Sequence, residues 1–336
     1  MKMKKKIFSV SFALVVAVSL LAVMPATVML IGCQKPLVTI ETLLVPEKAD
    51  AIAKVKISEI LNDEDIADLY ARYAVTDPYA PQTLRLALDE LKEETGVDLR
   101  YFNEAVLFAD TSTIEAQVPY LGAIIECNVP AKYFFEALEK LGSVNFEIQK
   151  YHAYTIHVLD DEVGIVFLNE ELMVVGPVNV VKDVIDVGLG KGRPISGKPY
   201  ELYDALDNPL LKATLKVPWM ISKEIPTEIP LDDEPAVDLG PLRDVDMVSC
   251  VLDKSGSTIK IQVHLYFVNS SSAIDASESI QELITGAKHI WPVLEIRNLL
   301  NKVQVVTYGS QVLVGFDATL AEIKDLIGAL ERENLL

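Results

Sequence analysis

Three cysteines, four histidines and two tryptophans among 336 residues leave little material for several kinds of chemistry. No two histidines stand at metal-ligand spacing, no His-Glu-x-x-His occurs, and no cysteine pair forms a CxxC, so the common zinc motifs are excluded. No Gly-x-Ser-x-Gly elbow is present to place a serine nucleophile. Positive charge is scarce as well: 30 Lys and Arg face 49 Asp and Glu, for a net charge of -19. Nucleic-acid binding needs a basic face that displaces counterions, so the charge speaks against that partner. It also speaks against electrostatic docking on anionic lipid headgroups. What the chain has in plenty is apolar residues, 50% of the total and spread throughout, which marks a folded protein with a sizeable core.

The distribution of charge is informative at the N-terminus. Lys2, Lys4, Lys5 and Lys6 precede an uncharged run of 25 residues from Ile7 to Ile31, followed by Gly32 and Cys33. A positive start, an apolar centre and a small residue at the cut are the layout of an export signal. The ending Leu30-Ile31-Gly32-Cys33 resembles the lipobox of bacterial prolipoproteins, over residues 1–33 only. That resemblance implies a signal peptide at 1–32 and a thioether diacylglycerol on Cys33, which becomes the first residue of the mature chain. The membrane is then a partner through the lipid on Cys33, and two acyl chains suffice for stable anchoring. An uncleaved signal anchor is the alternative, because 25 uncharged residues are long enough to span a bilayer core of about 30 Å, although Pro25 interrupts the run. Either way the bulk of the chain sits on the extracytoplasmic face. Without the four signal lysines the charge of -19 becomes -23.

Residues 33–48 read as a tether, 49–206 as a first α+β half and 207–336 as a second. In the first half, a strand near Asp50 to Ile57 leads into helical patterns, one opened by Ser58 and one stopped by Gly96. Strands at 105–109 and 121–129 follow, then a helix after Pro130 with Phe134, Phe135, Leu138 and Leu141 on one side. A four-strand meander over 146–176 and a short helix ending at Gly188 close the half. The second half runs strand, hairpin, helix, hairpin, helix, and its last helix lines up Leu320, Ile323, Leu326, Ile327 and Leu330. Val175-Gly176 precedes Lys182-Asp183-Val184-Ile185, much as Val314-Gly315 precedes Lys324-Asp325-Leu326-Ile327. The expected class is therefore α+β, with antiparallel sheets, helices packed on one face, and two similar halves from a diverged duplication. Residues 222–242 hold four prolines and six acids and read as an exposed loop.

Few residues invite a chemical role. Gly188-Leu189-Gly190-Lys191-Gly192 looks like a phosphate loop, but no Ser or Thr follows the lysine and the glycines follow a helix. A helix C-terminal turn is the reading that fits. Asp160-Asp161-Glu162 and Asp232-Asp233-Glu234 are acid clusters without the spacing of a calcium loop. Cys127 and Cys250 sit in apolar runs; separately buried thiols are favoured, and export leaves a disulfide open. No residue is assigned a catalytic, cofactor-binding or metal-binding role, and no cofactor is expected. Lipidation of Cys33 is the one assigned role. The expectation is a membrane-anchored extracytoplasmic lipoprotein acting as a non-enzymatic binding or envelope-associated module. Long strands such as Thr258 to Val268 suit a curved sheet around an apolar cavity for a lipid or another small molecule. An extracytoplasmic hydrolase whose residues meet only in the fold is the alternative.

Overall fold

A computed structural model describes residues 43–74, 81–140, 146–160, 162–231, 234–290 and 293–332. The signal, Cys33, most of the tether, Leu141, Asp161, Asp232 and Asp233 lie outside the described residues. Strand β1 (Ala51–Val55) is followed by α1 (Ile57–Leu61), α2 (Glu64–Ala74) and α3 (Leu84–Thr95). Next come β2 (Phe102–Ala109), β3 (Leu121–Cys127) and α4 (Ala131–Lys140). The meander is β4 (Phe146–Tyr151), β5 (Tyr154–Leu159), β6 (Val163–Phe167) and β7 (Leu172–Pro177). Helices α5 (Val178–Gly188) and α6 (Lys198–Asp204) lead to β8 (Leu211–Lys216) and α7 (Trp219–Glu224). The remainder is β9 (Glu228–Leu231), β10 (Glu234–Asp238), β11 (Val245–Ser255), β12 (Thr258–Phe267), α8 (Ser270–Ile290), α9 (Leu294–Leu300), β13 (Gln304–Tyr308), β14 (Gln311–Thr319) and α10 (Leu320–Arg332).

The class is α+β, built on one antiparallel sheet of 12 strands in the order β13-β14-β12-β11-β8-β1-β2-β3-β7-β6-β5-β4. The sheet continues across the expected boundary at 206/207, because β8 pairs with β1 from Ala51↔Leu215 to Val55↔Leu211. Outward from that pair the order is parallel on the two sides. β1, β2, β3 and then β7 stand on one side; β8, β11, β12 and then β14 stand on the other.

Side chains alternate across a strand, so register assigns each residue to a face. Most helices cover the face carrying Val55, Ala105, Ile125, Leu252 and Ala318, where Ile66 and Leu69 of α2, Phe134 and Phe135 of α4, and Ile323 and Ile327 of α10 pack. The other face is covered by α5 and α6, over Ile52, Val106, Phe108, Ile124, Val166 and Val174. Helices on one face is thus the arrangement of one wing only. Strands β2, β3, β6 and β7 are apolar on both sides and require cover on both. Gly122, Gly164 and Gly176 let α5 come close: a Cβ at Gly176 would stand 2.9 Å from the Leu121 carbonyl oxygen.

Two local expectations are corrected. Ser58 lies inside α1, whose N-cap is Lys56 with no side-chain cap. The helical pattern breaks at Asn62, and the Asp63 carboxylate caps α2 by accepting from the Ile66 N–H at 3.0 Å. Residues 222–242 are not a loop throughout. They hold β9 and β10, paired from Asp238↔Glu228 to Glu234↔Leu231 with an irregularity between. A two-stranded ribbon leaves outer edges where proline's missing N–H costs nothing, and Val237 and Leu239 are buried.

Candidate functional site

On the helix-rich face two apolar cores are separate. One joins α2, α4 and α10 to the sheet. The other packs Ala273 and Ala276 of α8 against Val245, Phe267 and Val312. Between them Ala53, Ala213, Cys250 and Val263 belong to neither core and are only half-buried, although β1, β8, β11 and β12 are central strands. Their register partners Leu107 on β2 and Val314 on β14 end the row, the first packed against one core and the second against the other. Four adjacent strands give three spacings of about 4.8 Å, so the strip is about 14 Å long. It offers no charged group and no hydroxyl. Its only polar atom is the Cys250 thiol, which burial pushes up and so keeps protonated.

A second feature lies at the end of the sheet where β1 begins. The Asp50 carboxylate accepts from the Thr111 N–H at 2.7 Å and from its hydroxyl at 2.9 Å, tying the β2–β3 connection to the start of β1. Beside it a cleft of about 460 Å³ is lined by Asp50, Thr111, Lys216, Trp219, Arg243 and Val268 among others. Its rim is held by ion pairing and backbone contacts: Lys198 donates to Asp246 at 2.7 Å, and the Arg243 Nε donates to the Ile225 carbonyl at 2.9 Å. Trp219 is 66% exposed and lies 4.3 Å beneath the Lys223 ammonium. A second hollow of about 480 Å³ on the β12–β14 wing is polar, with Lys260, Gln262, Lys302, Gln304 and Asp317. Glu322 closes onto Lys302, whose ammonium, with the Thr319 N–H, draws the carboxyl down to about 2.

The residues singled out in the sequence are scattered. Cys127 and Cys250 are both free, and burial raises both thiols. His152 occupies a left-handed turn position (φ 50°) and its Nε2 stands 3.0 Å from the Asp186 carboxylate. His157 stacks on Phe135 at 3.6 Å between ring centroids. His264 contacts the Gln311 amide at 2.6 Å, and His289 lies near the end of α8. The glycine-rich segment closes α5: Lys191 N–H and Gly192 N–H both donate to the Asp186 carbonyl. Among the described residues no group of three or more His, Cys, Asp or Glu side chains is gathered to hold a metal ion. Cys33 lies outside them. The strip went unseen in the sequence, because alternation such as Ile259-Ile261-Val263-Leu265 marks an apolar face but not whether helices close over it.

No protein-family model matches the chain, and no curated protein matches it. Among solved structures, crystal form III of TP0453 superposes with a TM-score of 0.49 at 9% identity, covering 88% of this chain and 100% of that one. Crystal form IV of TP0453 gives a TM-score of 0.48 at 10% identity, over 85% of this chain and 96% of that one. Identities of 9% and 10% transfer no residue role. Among the described residues no helix is long and apolar enough to cross a membrane.

Proposed function

We propose that the mature protein is an extracytoplasmic lipoprotein, held to a membrane by a diacylglycerol on Cys33. It binds an apolar, chain-like ligand along the sheet and performs no chemistry on it. The observation that carries this reading is the half-buried strip through Ala53, Ala213, Cys250 and Val263. Apolar side chains in central strands lose the hydrophobic gain of full burial unless something covers them, and a row about 14 Å long without charge or hydroxyl suits a stretch of hydrocarbon chain. A duplicated α+β unit accounts for the parallel strand order on the two sides of the β8–β1 pair.

The test is native mass spectrometry on the protein matured in an exporting host and held in a mild detergent. The expected result is an adduct, beyond the covalent lipid, that leaves on denaturation and is lost in Ala213→Phe, whose ring fills the strip. Circular dichroism checks that this variant folds. An apo mass in the parent protein would overturn the binding reading. For the anchor, Cys33→Ala is expected to move the protein out of the membrane fraction or stall its processing. Unchanged mobility with full retention in membranes would support the signal anchor instead.

A further inference from the structure

Fifteen large apolar side chains are exposed among the described residues, and they are not evenly spread. Six of the 15, Ile114, Val118, Leu121, Trp219, Ile221 and Val268, stand at one end of the sheet. Register defines that end: Ala51, Ala109, Leu121, Leu215 and Lys216 come together there, with Met247 and Tyr266 beside them. The opposite end, where β1 finishes and β2 starts, shows Tyr101 and Tyr133. Val268 is 77% exposed and Trp219 66%, so neither is a core residue imperfectly covered. Both border the same cleft, which places the β8–α7 and β12–α8 connections together.

Three further observations say what covers this end. The chain from Cys33 joins the fold through Val45 and Pro46, paired with Ile195 and Pro194, and then reaches this end. Its Lys48 pairs with Asp183 at 2.8 Å and stands over the Tyr120 ring, next to the first residue of β3. The 15 residues from Gln34 to Lys48 reach about 50 Å at most, so a lipid on Cys33 keeps this end within about that distance of the bilayer. Trp219 under Lys223 is also the pairing that suits a membrane interface, with an amphipathic ring at headgroup depth and a long cation reaching outward. The bases here, Lys48, Lys198, Lys216, Lys223 and Arg243, are matched by the acids Asp110, Glu115, Glu224, Asp244 and Asp246, so contact by apolar insertion is favoured over attraction to anionic lipid.

We infer that this end of the sheet is a membrane-docking surface, with Trp219, Ile221, Val268 and the Ile114–Val118 connection seated in the leaflet that holds the lipid on Cys33. The inference rests on the anchor at Cys33 for its orientation, and the two are separable. The experiment uses the full mature chain carrying Trp291→Phe, which leaves Trp219 as the sole tryptophan. It is reconstituted on vesicles of phosphatidylcholine, with or without bromine on the upper acyl carbons, while intact mass reports the lipid on Cys33.

Emission from Trp219 is expected to fall about twofold or more on the brominated vesicles, as for an indole at the interface. The double substitution Ile221→Asp and Val268→Asp, at exposed sites that leave folding intact, is expected to abolish that fall. Vesicle-bound, lipidated protein with unquenched Trp219 overturns the docking surface and leaves the anchor standing. Quenching in protein whose mass lacks the diacylglycerol upholds the docking surface and defeats the anchor. Quenching unchanged by the double substitution overturns the assignment to this end.

Discussion

The two wings of the sheet solve burial differently. One row across the uncovered-to-covered face reads Gln304, Gly315, Gln262, Val251, Lys212, Lys54, Val106, Ile124, Val174, Val166. Apart from the buried Val251, it changes from polar to apolar between β1 and β2. Beyond that point Ile124, Val166 and Val174 are fully buried under α5, whereas Gln262 and Gln304 on the other wing meet solvent. The β2–β7 wing is a three-layer structure and the outer β12–β14 wing has two layers. An apolar run without alternation signals cover on both faces, and strict alternation signals cover on one. The polar residues at the change-over, Lys54 with Glu104 and Lys212 against the Tyr203 ring, mark where the second helix layer ends.

The largest effect is expected where the wings are locked together. Lys254, at the far end of β11, has a fully buried side chain paired with Asp63 at 3.2 Å and Asp65 at 2.5 Å, at the start of α2. Lys254→Met leaves the nearly buried Asp63 without its cation. It should cost about 3–5 kcal/mol, read as a lower urea midpoint. A loss confined to one of two separate transitions would show that the wings unfold independently; a single shifted transition would show that they do not.

A smaller contrast concerns glycines on the same face. Gly176→Ala forces a Cβ to within 2.9 Å of the Leu121 carbonyl oxygen beneath α5. It should destabilise by about 1–3 kcal/mol. Gly315→Ala meets nothing within 4 Å on the open wing. There the strand loses an entropy penalty and gains about 0.5 kcal/mol. Equal effects at the two positions would contradict the difference in layering.

The smallest effect is the response to acid. Burial lowers the titration of His157, with Glu139 opposing and Lys150 adding to it, and burial alone lowers that of His264 on the other wing. The folded protein therefore takes up these protons later than the unfolded chain does. Stability is full above the unfolded value of about 6.5 and falls as the pH drops below it, until the folded imidazoles also protonate. His157→Gln should flatten urea midpoints measured between about pH 7 and 5, and adding His264→Gln should flatten them further. A parent protein with no slope across that window would contradict both assignments.

Much of the secondary structure was legible in the sequence. Thr83 and Gly96 bracket α3 by a side-chain cap and a left-handed C-cap (φ 67°), both local signals. The meander turns and the β11–β12 hairpin at Gly256 follow from short polar breaks between β-branched runs. The ribbon at β9 and β10 was not legible, because prolines and acids argue against a strand locally and the pairing rests on burial of Val237 and Leu239. The short helices α6 and α7 escaped for a related reason. Their lengths of 7 and 6 residues are too short for a periodicity to show.

By itself the sequence determined the longer helix and strand segments, the α+β class, the excess of acid and the export-like N-terminus, since each rests on composition or on neighbours within one or two turns of chain. Only the tertiary structure decided that the halves share a single sheet, that an apolar strip lies between two cores, and that exposed apolar side chains gather at one end. Those features depend on strand order and on where helices stop covering the sheet. Both are set by contacts between residues far apart in the chain, such as Lys254 with Asp63 and Ala51 with Leu215.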